Sequence, residues 1–337
     1  MGTIVEGKAW EPEDIISSGS LLLDYYLKFG GYPVGSIVQY YSPPKNEGSF
    51  KTTLGLLGLV EFQKKGHKVG GIDVELTPWD LNWLEAKGLT INDKKKWVMG
   101  RPVSGEESIE YLDICIRDKE CKAVLFDSVD YARPQKYHES KPGDANMGDH
   151  AKLMRQFWQH CKDLSETHQA SIFVINQSAD IMGTSIYDKG ENLSGGKGAY
   201  YAPTISIRMR RPTDSKLFDV DLIPIKVQIK RSKMGSSWKK FTTYFLQEQG
   251  VIDRYSELLL LGQLAGIMVP SNKQTLKNWR AWYKIKNPET EKKIYKKIGN
   301  DFVEARNWVF DNEEKVIKKL LSIDTFKKIR GLHEPTD

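Results

Sequence analysis

In the first third of the chain, short apolar runs alternate with amphipathic stretches, the rhythm of parallel strands joined by helical crossovers. Residues 36–41 (SIVQYY) predict a strand that leads into a polar loop. From residue 52 to 64 Leu54, Leu57 and Val60 recur at helical spacing, and residues 69–74 predict a second strand. Residues 123–126 (AVLF) and 171–175 (SIFVI) have no polar face, as strands covered on both sides require; they end in Asp127 and Asn176. Residues 149–167 between them predict a helix. From 204 to 245, extended segments separated by Pro, Gly and Ser predict consecutive hairpins. After Gly250 the chain reads as helical and basic, and Asp311 with Glu314 has capping-box spacing ahead of Val316, Ile317, Leu320 and Leu321. The pattern predicts an α/β core with a mainly parallel central sheet and a boundary near Tyr255.

Composition narrows this picture. A length of 337 residues accommodates one large and one small domain, and 39% hydrophobic with 28% charged residues is the balance of a globular chain rather than a disordered one. No apolar stretch reaches bilayer length and residues 1–10 lack a signal pattern, so a cytoplasmic location is expected. Cys115, Cys121 and Cys161 are too few and too irregular for a disulfide framework or a zinc site, and read as reduced thiols. Net charge is only +6, yet residues 273–297 hold nine Lys/Arg against Glu289 and Glu291, interleaved with Trp279, Trp282, Tyr283 and Tyr295. That composition suits either a polyanion surface or an ordinary solvated face.

Candidate chemistry sits between the first strand and its helix. Gly48, Ser49, Phe50, Lys51, Thr52 and Thr53 form a polar turn at a helix start, where unpaired N–H groups, a lysine charge and a threonine hydroxyl can hold phosphate and magnesium. The strict phosphate-loop pattern wants glycine where Phe50 stands, and again where Lys45 stands. Asp127, followed by Ser128 at a strand end, is placed as a magnesium-organising carboxylate. Glu75, closing IDVE, is placed to orient water. An ordinary strand-end cap is the alternative reading of each.

The run ISSGSLLLDYYLKFGGYPVGSIVQYY (residues 16–41) resembles the opening of the RecA core. Further resemblances follow in order: IDVE, VLFDS, GDANMGDHAKLMRQ, FVINQ and LSGGKGAYYA, then GVIDRYSELLLLG, AWYKI and KKIGNDFVEARNW in the last third. The resemblance spans nearly the whole chain. The Ser-Phe-Lys form of the loop, with ELTPWDLNWLEAKGL after it, is similar to phage recombinases of the UvsX kind, which suggests a bacterial cell or phage-infected host. Ser42 stands in place of the first loop glycine, and the loop from Ser42 to Thr52 is three residues longer than in the family.

Carried onto matching positions, the resemblance implies a RecA-type P-loop ATPase core at residues 16–255. Residues 1–15 would form an N-terminal arm shorter than the family's, the largest departure from it, and 256–337 a small α-rich basic domain. ATP and Mg2+ would be held by residues 48–53 with Asp127, the metal by Thr52 and Asp127. Lys51 would steady the outer phosphates, Glu75 would activate water, and Gln177 would sense the γ-phosphate. Two of Lys230, Arg231 and Lys233 would reach a neighbouring subunit's ATP. Single-stranded DNA would be gripped by residues 178–199, through Ile186, Tyr187, Gly195, Gly196 and Lys197. A second loop near 132–147, with Lys152 and Arg155 behind it, would assist. The implied activity is DNA-dependent ATP hydrolysis by a filament that pairs a single strand with homologous duplex. Competing readings are a RecA-fold regulator or motor ATPase, and a DNA-binding scaffold without hydrolysis, against which Glu75, Asp127 and Gln177 argue.

Overall fold

The computed structural model describes residues 12, 14–44, 46, 48–76, 79–139, 147–180, 191–212, 221–270, 281–286 and 293–333. The chain enters through a two-stranded ribbon, β1 (Ile15–Ile16) with β2 (Tyr32–Pro33), which brackets α1 (Leu21–Tyr26). Crossover units follow: β3 (Ile37–Ser42), α2 (Lys51–Lys64), β4 (Val69–Asp73), α3 (Leu81–Ala86), β5 (Trp97–Gly100), α4 (Gly105–Asp113), β6 (Ala123–Asp127), α5 (Gln135–Glu139), α6 (Met147–His168) and β7 (Ser171–Asp180). Next come β8 (Glu191–Leu193), α7 (Gly196–Tyr201), β9 (Ile205–Arg210), β10 (Leu222–Ser232), β11 (Lys240–Leu246) and β12 (Val251–Ile252). The central sheet runs β12-β11-β10-β9-β3-β7-β6-β4-β5, with β8 folded back on β7. From β9 to β5 every neighbour is parallel, whereas β9 to β12 form the antiparallel hairpins expected.

The all-apolar strands divide their side chains between two helical layers. Phe173 and Ile175 pack with Leu54, Leu59 and Phe62 of α2, while Ile172 and Val174 pack with Phe157, Trp158 and Leu164 of α6. This two-sided burial explains why no polar face appears in SIFVI. Helix α2 approaches the sheet closely because Gly58 leaves room: a Cβ there would lie 2.9 Å from the Phe173 ring.

Beyond the sheet, α8 (Arg254–Leu264) leads to a three-stranded antiparallel sheet of β13 (Met268–Pro270), β14 (Ala281–Lys286) and β15 (Lys293–Gly299). Helices α9 (Phe302–Asp311), α10 (Glu313–Leu321) and α11 (Asp324–Lys327) follow. The described part of the basic, aromatic run thus forms strands, joined to the expected helices. The expected boundary at Tyr255 falls inside α8. This helix shares a core with α1, since Leu258, Leu259 and Leu261 pack with Leu21, Leu22, Phe302 and Val316. The buried Glu257 carboxylate accepts from Leu21 N (2.6 Å), Ser20 Oγ (2.6 Å) and Thr243 Oγ1 (2.7 Å), so α8 satisfies the N-terminus of α1.

The Asp311–Glu314 capping box is corrected by the structure. Asp311 is the last residue of α9, and α10 starts after Asn312, whose side chain makes no capping bond. A cap of this kind opens the preceding helix instead: Asp301, the N-cap of α9, accepts from Glu304 N at 2.9 Å. The helix itself buries Val316 and Leu320, while Ile317 and Leu321 are partly buried.

Candidate active site

The parallel strands release their carboxyl ends on one side, where open α/β sheets hold ligands. There β3 passes into the loop ahead of α2. Phe50 occupies the N-cap of α2 with φ 58° and ψ 29°, and no side chain caps that end, so the first N–H groups of α2 remain for an anion. Gly48 is also left-handed, at φ 67°. Phe50 therefore adopts the conformation for which a glycine is ordinarily required. Its ring is stacked on Phe245 of β11, with centroids 4.4 Å apart and planes at 17°. The loop is tied to the end of β9 at Asn46: Asn46 Nδ2 donates to Arg211 O at 2.9 Å, and Arg211 N donates to Asn46 Oδ1 at 2.7 Å.

Lys51 Nζ donates to Ser42 Oγ at 2.6 Å, so the serine that replaces the first loop glycine holds the lysine in place. Burial pulls the Lys51 pKa below its ordinary value, opposed by Asp127, Asp130 and Glu75. Thr52 Oγ1 donates to Asp127 Oδ2 at 2.7 Å. Burial raises the Asp127 pKa to about 7; the Thr52 hydroxyl works against that and the nearby Glu75 charge adds to it. Glu75 lies two residues past β4, and its Oε1 accepts from Ser128 Oγ at 2.8 Å. Gln177 is the register partner of Ser42 on the adjacent strand and is exposed. Ser49 and Thr53 are buried beside these groups.

The donor set fits the expected ligands. A hydroxyl and a carboxylate, both oxygen ligands, suit Mg2+, which is usually completed by phosphate oxygens and water. Among the described residues no group of three or more His, Cys, Asp or Glu forms an all-protein metal site. The uncapped helix end with Lys51 beside it suits a polyphosphate.

A second assembly lies further along β7. At the described ends of the 178–199 stretch, Ser178 to Asp180 continue β7 and pair with β8, and Gly196 begins α7. Gly195, Gly196, Lys197 and Arg155 line one cavity of about 970 Å³, together with Arg133, Tyr137, Trp158 and Tyr201. Lys152 is exposed on α6 outside that lining. Ile186 and Tyr187 lie outside the described residues. Two of the three glycines of LSGGKG have a packing cause, since a Cβ would lie 2.8 Å from Trp158 Nε1 on Gly195 and 2.4 Å from the Trp158 ring on Gly198; Gly196 has open space there but a left-handed φ of 65°.

Arg231 and Lys233 converge on the carboxyl end of α7, where Arg231 Nη1 donates to Tyr200 O and Lys233 Nζ to Ala202 O at 3.0 Å. Lys230 is set apart, with its Nζ 5.2 Å from the Trp238 ring centroid. Asn46, Asp130, Ser194 and Arg211 were not anticipated from sequence. Asp130 carried a weak signal, being an acidic residue three places after Asp127.

The family model for the RecA N-terminal domain matches residues 4–252. The chain belongs to the RecA family. Curated relatives agree over most of their length. A protein named Protein RecA from Zymomonas mobilis is 30% identical over 311 residues, covering 88% of this chain and 84% of its own. Those from Mycoplasma mycoides and Mesoplasma florum are 28% and 26% identical, covering 92% and 90% of this chain and 85% and 84% of theirs. Within this RecA-family chain, no described helix is long and apolar enough to cross a membrane.

Proposed function

We propose that the protein is an ATP-dependent DNA recombinase that binds single-stranded DNA as a filament and promotes its pairing and exchange with homologous duplex. The observation that carries this reading is one of placement. Lys51, Thr52, Asp127, Glu75 and Gln177 lie at the carboxyl end of the sheet, and the strand bearing Gln177 pairs with β8, which leads into Gly195, Gly196 and Lys197 of a cavity that Arg155 also lines.

In this reading Lys51 and the α2 amides bind the phosphates of ATP, and Thr52 with Asp127 hold Mg2+, which supplies charge neutralisation when bound. Glu75, steadied by Ser128, orients the attacking water. The Gln177 amide hydrogen-bonds the γ-phosphate. Arg231 and Lys233 reach the nucleotide of an adjoining subunit, which makes turnover depend on assembly. Residues 178–199, including Ile186 and Tyr187, grip the single strand by backbone contacts and stacking, assisted by a second loop near 132–147 with Lys152 and Arg155 behind it. The division into arm, core (16–255) and basic domain (256–337), and the likeness to phage recombinases, belong to the same proposal.

The test incubates a circular single strand with homologous linear duplex. Joint molecules should form with ATP and be absent with ADP or with Lys51→Ala. ATP hydrolysis without pairing or filaments would support a regulator or motor ATPase instead.

A further inference from the structure

A line of polar contacts runs to α7 from the turn after β6, which begins just past the Asp127 that accepts from Thr52 of the phosphate loop, without passing through the Gln177 side chain. Asp130 sits in the 3-10 turn Val129–Tyr131 that follows β6. Its charge acts on the Lys51 ammonium, alongside those of Asp127 and Glu75. One carboxylate oxygen accepts from Ser194 Oγ, the other is buried, and the Gln177 backbone N–H adds a further favourable interaction. Ser194 is held on every polar atom. Its N–H donates to Gln177 O at 3.1 Å, its carbonyl accepts from Asn176 Nδ2 at 2.8 Å, and its hydroxyl goes to Asp130. Asn176 Nδ2 also donates to Gln39 Oε1 at 2.9 Å, and Gln39 Nε2 donates to Ala199 O at 3.1 Å. Asn176 and Gln39 are both fully buried, so these bonds have no water to substitute for them.

We propose that Asp130 is a positioning residue that transmits occupancy of the phosphate site to Ser194 and, through Asn176 and Gln39, to α7. The physical cause is charge. A terminal phosphate taken up by Lys51 and by the Thr52–Asp127 pair neutralises positive charge near the end of β6 and brings negative charge towards Asp130. The Asp130 carboxylate is largely shielded from water and is held on one oxygen by Ser194, so the change bears on that bond. Ser194 is the residue at which β8 ends and the turn into α7 begins, so loss or strengthening of that one bond re-aims Gly195 to Lys197. Asp130 touches neither phosphate nor DNA in this scheme.

The idea rests on reading α7 and its approach as part of the DNA grip, and the experiment separates the two. Two readouts are taken on wild type, Asp130→Asn, Ser194→Ala and Ser194→Thr. One is hydrogen exchange at residues 194–199 without DNA, with a non-hydrolysable ATP analogue and with ADP. The other is affinity for a labelled single strand with the same nucleotides. Wild type should show nucleotide-dependent exchange and a DNA affinity ratio of about tenfold or more, in the range of ordinary allosteric coupling. Asp130→Asn and Ser194→Ala should reduce that ratio to about twofold and make exchange indifferent to nucleotide, whereas Ser194→Thr, which keeps the hydroxyl, restores both. Nucleotide affinity of Ser194→Ala should match wild type. Exchange at 194–199 that ignores nucleotide in wild type, or still responds in both Asp130→Asn and Ser194→Ala, overturns the proposal. Nucleotide-dependent exchange in a wild type that fails to bind DNA would instead remove the DNA reading and leave the coupling intact.

Discussion

Phe50 offers the sharpest test of how this phosphate loop works without its glycine. Two terms oppose each other at the position. The left-handed backbone at φ 58° costs an L-residue about 1–2 kcal/mol, which glycine avoids. The ring, stacked at 4.4 Å on the fully buried Phe245 but itself only partly buried, contributes about 2 kcal/mol, below the cost of truncating a core phenylalanine. Phe50→Ala keeps the strain and loses the ring, so it should destabilise by about 2 kcal/mol. Phe50→Gly loses the ring but relieves the strain, and should be about 1 kcal/mol more stable than the alanine variant. Urea titration followed by fluorescence measures both, provided the slope is unchanged. In a double-mutant cycle, Phe50→Ala with Phe245→Ala should give a coupling of about 1 kcal/mol. A glycine variant no more stable than the alanine variant would refute the strain argument, and zero coupling would refute the stacking.

Three further expectations can be checked separately. Glu75→Gln should retain ATP and DNA binding while turnover falls by roughly two orders of magnitude or more, the scale of lost general-base assistance; equal losses in binding and turnover would contradict that role. ATP hydrolysis per subunit should rise with protein concentration and lose that rise in Arg231→Ala and Lys233→Ala, so a concentration-independent rate from a monomer would contradict assembly in trans. The third concerns Asp24, whose pKa burial raises from 3.8 to about 7, against hydrogen bonds from Ser17, Ser18 and Gly331. A folded pKa above the unfolded one means the native state holds the extra proton, so this group's contribution is present below about pH 4 and is lost as pH rises to about 7, by on the order of 4 kcal/mol. Asp24→Asn should flatten that part of the unfolding free energy against pH, and an unaltered slope would show that Asp24 is not its source.

The parallel sheet was legible because its central strands are apolar on both faces, and this followed from burial between α2 and α6 rather than from any motif. The loop was legible by position alone. Phe50 departs from the residue pattern yet keeps the glycine conformation, and the compensating partner, Phe245, lies 195 residues away where no local pattern can point to it. The misplaced cap at Asp311 had the right spacing, but α9 and α10 abut with only Asn312 between them, which sequence periodicity does not resolve. Sequence spacing cannot separate Lys230, Arg231 and Lys233, whereas the fold places them apart: Arg231 and Lys233 bond the end of α7 while Lys230 lies over Trp238. Asp130 and Ser194 meet only after β7 and β8 have folded back on each other.

The central claim is that the site around Lys51 and Asp127 hydrolyses ATP under the control of single-stranded DNA. Its most direct test is phosphate release by the full chain, measured with and without a long single strand. The account predicts slow release alone, a rise of at least about tenfold with DNA as assembly supplies Arg231 and Lys233 in trans, and none above background in Lys51→Ala. Equal release with and without DNA, or undiminished release by the Lys51 variant, would contradict it.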